Sequence, residues 1–166
     1  MTSTETITRA SVWIALLCYF AATSAQLRKH PGNPAIVRLL WTAGCLAYVV
    51  HVFCAFQFYH SWSHQAALED TARQTADVTG WNWGGGIWFN YLFTLAWIAD
   101  VVRLWRANPQ PSSRRIRTLV AGWQAFFFFM VFNATAVFET GPVRWLGAIG
   151  CLVVAILFIR ARRNFD

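Results

Sequence analysis

Apolar stretches long enough to cross a bilayer recur along this chain, and that feature restricts its fold more than any other. A backbone inside hydrocarbon must satisfy its own N–H and C=O groups, so only helices and closed barrels survive there. A spanning helix needs about 20 mostly apolar residues. Five stretches meet that description, over residues 11–27, 35–60, 86–105, 117–138 and 143–159. The expectation is an all-α membrane protein, one transmembrane domain over residues 1–166 built as a bundle of five spanning helices. Composition points the same way, with 57% hydrophobic and 13% charged residues, against about 25% charged in an ordinary soluble domain.

The connections carry their own signals. Asn33 and Pro34 read as the cap and first residue of the second helix. Glu139, Thr140, Gly141 and Pro142 form a tight turn that makes a hairpin of the last two spans. The longest connection, residues 61–85, contains a helix-favouring run over 65–78, with Ser63 as its cap and Gly80 as its stop. It reads as a short surface helix or as a continuation of the second span. Trp81 to Gly86 then leads back into the membrane. These glycines are no phosphate loop, because no Lys-Ser/Thr follows them.

Charge sets the orientation. With the N-terminus outside, only Arg9, Arg73 and Arg144 of the 14 basic residues face outward, and the others, including Arg28, Lys29, Arg38 and Arg103, fall on the cytoplasmic side. A rival reading takes the first stretch as a signal peptide ending near Ala22 to Ala25. Cleavage there would invert the charge distribution, so the stretch is read as a span. The expected location is a bacterial inner membrane, with the C-terminus cytoplasmic. The net charge of +7 is explained by span ends, and no nucleic acid is expected as a partner.

Polar residues inside a bilayer are costly, which makes them the first places to look for function. His51, Asn90 with Thr94, and Asn133 fall in the outer halves of three different spans and form a candidate intramembrane polar cluster. They fit hydrogen bonds that fix helix register, or a ligand, proton or metal site. Asp100, Arg103 and Arg38 fall near the inner interface and form a candidate ion-pair group. The four cysteines lie in apolar stretches without a CxxC pair and read as packing residues.

His60 and His64 are four residues apart, with Gln57 three before His60. On one helix that spacing puts both imidazoles on one face, about 40° apart in azimuth and about 6 Å in rise, which suits a metal ligand pair. Glu69, Asp70 and Asp77 lie nearby in sequence. His51 points the opposite way and is a separate candidate, as a cofactor ligand. A haem on His51 needs a second ligand from elsewhere, since no other span carries a histidine.

No GxSxG elbow, HExxH pair or carboxylate pair within the spans indicates hydrolytic chemistry. Stripes of small residues, Gly44, Ala47, His51 and Cys54 in the second span and Gly147, Cys151 and Ala155 in the fifth, favour close helix packing. The leading expectation is therefore an accessory or scaffold subunit that contacts a membrane-protein partner or a second copy of itself. The alternative is a protein that binds a transition metal or haem in redox or metal handling. A small transporter ranks third, because five spans do not divide into equal repeats.

Overall fold

The computed structural model describes residues 3–28, 32–106, 114–139 and 141–163. The described residues are helical, with no strand. Lys29, His30 and Thr140, which enter the charge count and the turn reading, lie outside them.

Six helices follow in order: α1 (Ser3–Leu27), α2 (Pro34–Phe58), α3 (His64–Thr79), α4 (Gly86–Arg106), α5 (Arg114–Phe132) and α6 (Gly141–Arg163). A π-helical turn, Asn133–Val137, extends α5. The apolar stretches of α1, α2, α4 and α6 are long enough to cross a membrane, whereas α5 contributes a shorter one, Ala121–Val137. At 1.5 Å per residue that segment spans about 26 Å, slightly less than the ~30 Å of a typical hydrocarbon core. Apolar side chains cover the outside of the bundle: Leu17, Leu46, Leu95, Leu146 and Leu152 are each at least 60% exposed. A water-soluble protein rarely shows so much apolar surface, and the arrangement suits a multi-pass protein in a lipid bilayer.

The local chemistry explains most of the boundaries. Asn33 accepts a hydrogen bond from the Ala35 amide at 2.9 Å, and Pro34 opens α2. Ser63 accepts from the Ala66 amide at 3.2 Å at the start of α3, and Gly80 ends that helix in the left-handed region at φ 76°. These caps match the sequence reading. Two boundaries do not. The first helix starts at Ser3, about two turns before residue 11, because Thr8 and Ser11 return their hydroxyls to the backbone carbonyls of Thr4 and Thr8 and are buried inside the bundle. The second helix stops at Phe58, short of His60. Ser61 and Trp62 take positive φ angles of 47° and 59°, and this reversal makes α3 a separate helix.

The five apolar helices pack in a closed order, α1 on α2, α2 on α4, α4 on α5, α5 on α6, and α6 back on α1. The middle of the ring is an aromatic layer. Trp41, Trp97, Tyr19 and Phe127 are fully buried. Trp41 lies 5.3 Å from Trp97 and 5.3 Å from Phe127, ring centroid to centroid. The Trp97 indole N–H donates to the Trp41 carbonyl at 3.2 Å. Each such ring pair contributes about 0.5–1.5 kcal/mol beyond its buried area. Both stripes of small residues are used within the chain. Gly44 faces Cys18 and Trp97, and Gly147 lies so close to Thr135 that an added Cβ would sit 2.3 Å from the Thr135 Cβ.

Candidate functional site

Between the aromatic layer and α3 the ring opens into a cavity of about 550 Å³, within the ordinary size range of small-molecule sites. Its α2 wall runs from Tyr48 to Phe56, a rise of about 12 Å, and Tyr59 and His60 continue it just past the helix end. Tyr48 stacks on Trp97 at 5.7 Å, and both line the cavity at the edge of the aromatic layer. The N-terminal half of α1, the start of α4 and the π-helical turn after α5 complete the walls, and α3 adds Asp70, Thr71, Gln74 and Thr75.

His51, Asn90, Thr94 and Asn133 all line this one cavity. Their side chains do not bond to one another, as a register-fixing cluster would, and three of the four are tied to backbone. His51 Nδ1 lies 3.0 Å from the Thr8 carbonyl oxygen, across the α1–α2 interface. Thr94 donates to the Asn90 carbonyl at 2.8 Å. Asn133 donates its amide to the Phe129 carbonyl at 2.8 Å.

Partner chemistry fixes the direction of these bonds. A carbonyl oxygen cannot donate, so His51 Nδ1 must carry a proton, and in the neutral ring Nε2 is then an acceptor. By the same reasoning Asn133 spends an N–H on Phe129 and keeps Oδ1. Neither His51 Nε2 nor the Asn90 carboxamide bonds to a described residue. Asn90 is exposed and His51 half-buried, so both groups are open to the cavity and can bond a molecule held there.

The π-helical turn positions Asn133. The Phe138 amide donates to the Asn133 carbonyl at 3.0 Å, five residues back. The extra residue turns Asn133 and Ala134 toward the cavity while Thr135, fully buried, packs on Gly147 and donates to Val131 at 2.8 Å. Single π turns within α-helices recur at functional sites.

The other candidate groups have other partners. Asp100 is 5% exposed and accepts from Arg103 Nε at 2.8 Å. Arg38 does not join them, because its guanidinium lies 4.4 Å from the Trp105 ring centroid. The Trp105 N–H in turn donates to Thr42 at 3.0 Å. The expected three-residue ion group is thus one ion pair beside one cation–π contact.

Gln57, His60 and His64 do not form the single helical face that their spacing suggests. The helix breaks at Ser61 and Trp62, between the two histidines. Trp62 folds back on α2, donating its N–H to Gln57 Oε1 at 2.9 Å and packing edge-on to Phe53 at 5.2 Å. His60 packs against Phe56 at 5.6 Å and lines the cavity. His64 Nδ1 hydrogen-bonds with the Tyr91 hydroxyl at 2.9 Å. Among the described residues no three His, Cys, Asp or Glu side chains cluster as metal ligands.

Sequence reasoning missed Thr8, Tyr48, Trp97 and Gln74 as members of the site. Thr8 lies before the expected start of the first span, and Tyr48 and Trp97 read as ordinary span residues. The one available signal was position, since Tyr48 precedes His51 by about one turn. Comparison with known proteins identifies no relative: no protein family, no curated protein and no solved structure matches the chain.

Proposed function

We propose that this is a multi-pass protein of a bacterial inner membrane that binds a small molecule in the cavity between its aromatic layer and α3. The observation that carries this reading is the convergence of His51, Asn90 and Asn133, from three different helices, on one cavity of about 550 Å³ that is rich in aromatic rings. Large cavities with a few convergent polar groups are the usual form of a small-molecule site. The distribution of basic residues supports a cavity that faces the outside, with α3 on that surface.

This reading accounts for more than the accessory-subunit expectation does. The small-residue stripes that favoured a partner helix pack on Trp97 and Thr135 within the chain. The aromatic layer beside the cavity favours holding a molecule over passing it through the bundle. Gln57 and His64 already use polar atoms on Trp62 and Tyr91, which weakens the metal reading.

The test is native mass spectrometry of protein extracted in mild detergent, wild type beside Thr94→Phe, which fills the cavity. A small-molecule adduct on the wild type that is lost in Thr94→Phe supports the proposal. An adduct of equal abundance on both proteins, or none on either after supplementation with a membrane extract, overturns it.

A further inference from the structure

The bonds already made fix which atoms three cavity side chains keep for a ligand. His51 Nδ1 donates to Thr8, and Asn133 Nδ2 donates to Phe129. Gln74 Nε2 donates to Asp70 Oδ2 at 3.0 Å. In all three the partner is a carbonyl or carboxylate oxygen, so the direction cannot be reversed. The neutral His51 ring is left with an acceptor alone, Nε2, while Asn133 and Gln74 keep an acceptor oxygen, Oδ1 and Oε1, beside one amide N–H each. Each of the three thus offers an acceptor to a ligand that donates.

Fixed charge has the same bias. Asp70 is the one charged side chain among the lining residues, and no Lys or Arg is among them. Arg73 engages Asp70 Oδ1 from an exposed position outside the lining. The remaining surface is rich in ring faces, including Tyr48, Tyr91, Trp83 and Trp97. Ring faces carry the negative part of the aromatic quadrupole and attract cations.

We infer that the cavity selects an organic cation that donates hydrogen bonds: a protonated primary or secondary amine on an apolar or aromatic body. The inference rests on the proposed ligand-binding reading of the cavity and names its ligand class. The ammonium group donates to His51 Nε2 and Asn133 Oδ1, and the apolar body lies along the ring faces toward Tyr48 and Trp97. An anion of the same size meets acceptors and ring faces with no fixed positive charge in the lining, and is disfavoured. A neutral alcohol supplies one donor and no charge.

Three probes with the same body separate these cases: 3-phenylpropylammonium, 3-phenylpropanol and 3-phenylpropionate. Their binding to the full chain in a nonionic detergent is measured by calorimetry, and the signal from Thr94→Phe is subtracted to remove detergent partitioning. The expected result is that the ammonium binds about tenfold more tightly than the alcohol, a difference of about 1.4 kcal/mol that a desolvated cation–π contact can supply, and that the carboxylate binds most weakly. Asp70→Asn is expected to weaken the ammonium a few-fold and leave the alcohol unchanged.

Equal affinities, or a preference for the carboxylate, overturn the inference and leave the cavity reading standing. If no probe binds but the native adduct is present and sensitive to Thr94→Phe, the ligand class alone falls. If both signals are absent, the two readings fall together. If Asp70→Asn does not fold, Asn133→Leu is the substitute, and it must weaken the ammonium more than the alcohol.

Discussion

His51 Nδ1 and the Thr8 carbonyl oxygen lie 3.0 Å apart, and this contact joins α1 to α2 through the only polar atom a backbone can offer at the middle of a helix. The Thr8 carbonyl is a shared acceptor: the Ser11 hydroxyl donates to it at 2.9 Å from within α1, while the Thr8 hydroxyl turns back to Thr4. One ring nitrogen therefore has a structural role, and the other faces a cavity whose polar atoms are left over from such bonds.

Replacing His51 with Leu removes the link and one cavity acceptor. We expect a loss of about 1 kcal/mol, the scale of interhelical hydrogen bonds in membranes, measured by reversible unfolding in mixed micelles. A variant as stable as wild type would show that the α1–α2 interface is held by packing alone.

The Asp100–Arg103 pair predicts an asymmetry. Asp100 is 5% exposed, and Arg103 is 42% exposed. Arg103→Met strands a carboxylate in the bundle and is expected to cost about 3–5 kcal/mol. The double change Asp100→Leu with Arg103→Met removes both charges and is expected to recover most of that loss. Equal instability of the single and double variants would mean that Asp100 is held by something other than Arg103.

Two glycines offer a paired test of packing. Gly147→Ala places a methyl 2.3 Å from the Thr135 Cβ, whereas a Cβ on Gly122 meets nothing within 4 Å. Gly147→Ala is expected to cost about 1–3 kcal/mol through overpacking. Gly122→Ala is expected to be neutral or to stabilise by up to about 1 kcal/mol through helix propensity. Thermal unfolding midpoints in one detergent decide it, and the α5–α6 contact is misplaced if the order reverses.

Metal analysis of purified protein is expected to give the same value for wild type and for His60→Ala with His64→Ala, because no three His, Cys, Asp or Glu side chains cluster as ligands among the described residues. Stoichiometric metal that disappears in the double variant would mean that the turn rearranges on binding.

Much of the architecture was legible in the sequence, and the parts that were not share a cause. Apolar length gave the helices, and Asn33, Pro34, Ser63 and Gly80 marked their ends because capping depends on local backbone chemistry. The reversal after Phe58 was hidden, since Ser61 and Trp62 carry no turn signal and take left-handed angles that non-glycine residues rarely adopt. Only the return of Trp62 to Gln57 and Phe53 explains that turn, and this contact is invisible in a linear reading. His51, Asn90, Thr94 and Asn133, which the sequence places on three helices, all line one cavity. Whether they would bond to each other or to backbone was not legible, because that depends on the helix faces that meet. Arg38 was assigned to Asp100 by depth alone, and Trp105 lay closer.

The circular order of the helices bears on how the protein is made. α1 is synthesised well before α6 and yet is its neighbour, and Phe20 on α1 lies where even one added carbon on Gly150 of α6 would touch it, at 2.8 Å. Until α6 is made, that flank of α1 is uncovered. The wall of the cavity formed by α5 is likewise unsupported until Gly147 arrives behind Thr135. α1 and α2 can pair as they emerge, but the ring closes only with α6, so a nascent chain stalled after α5 would carry the cavity's side chains without a stable cavity.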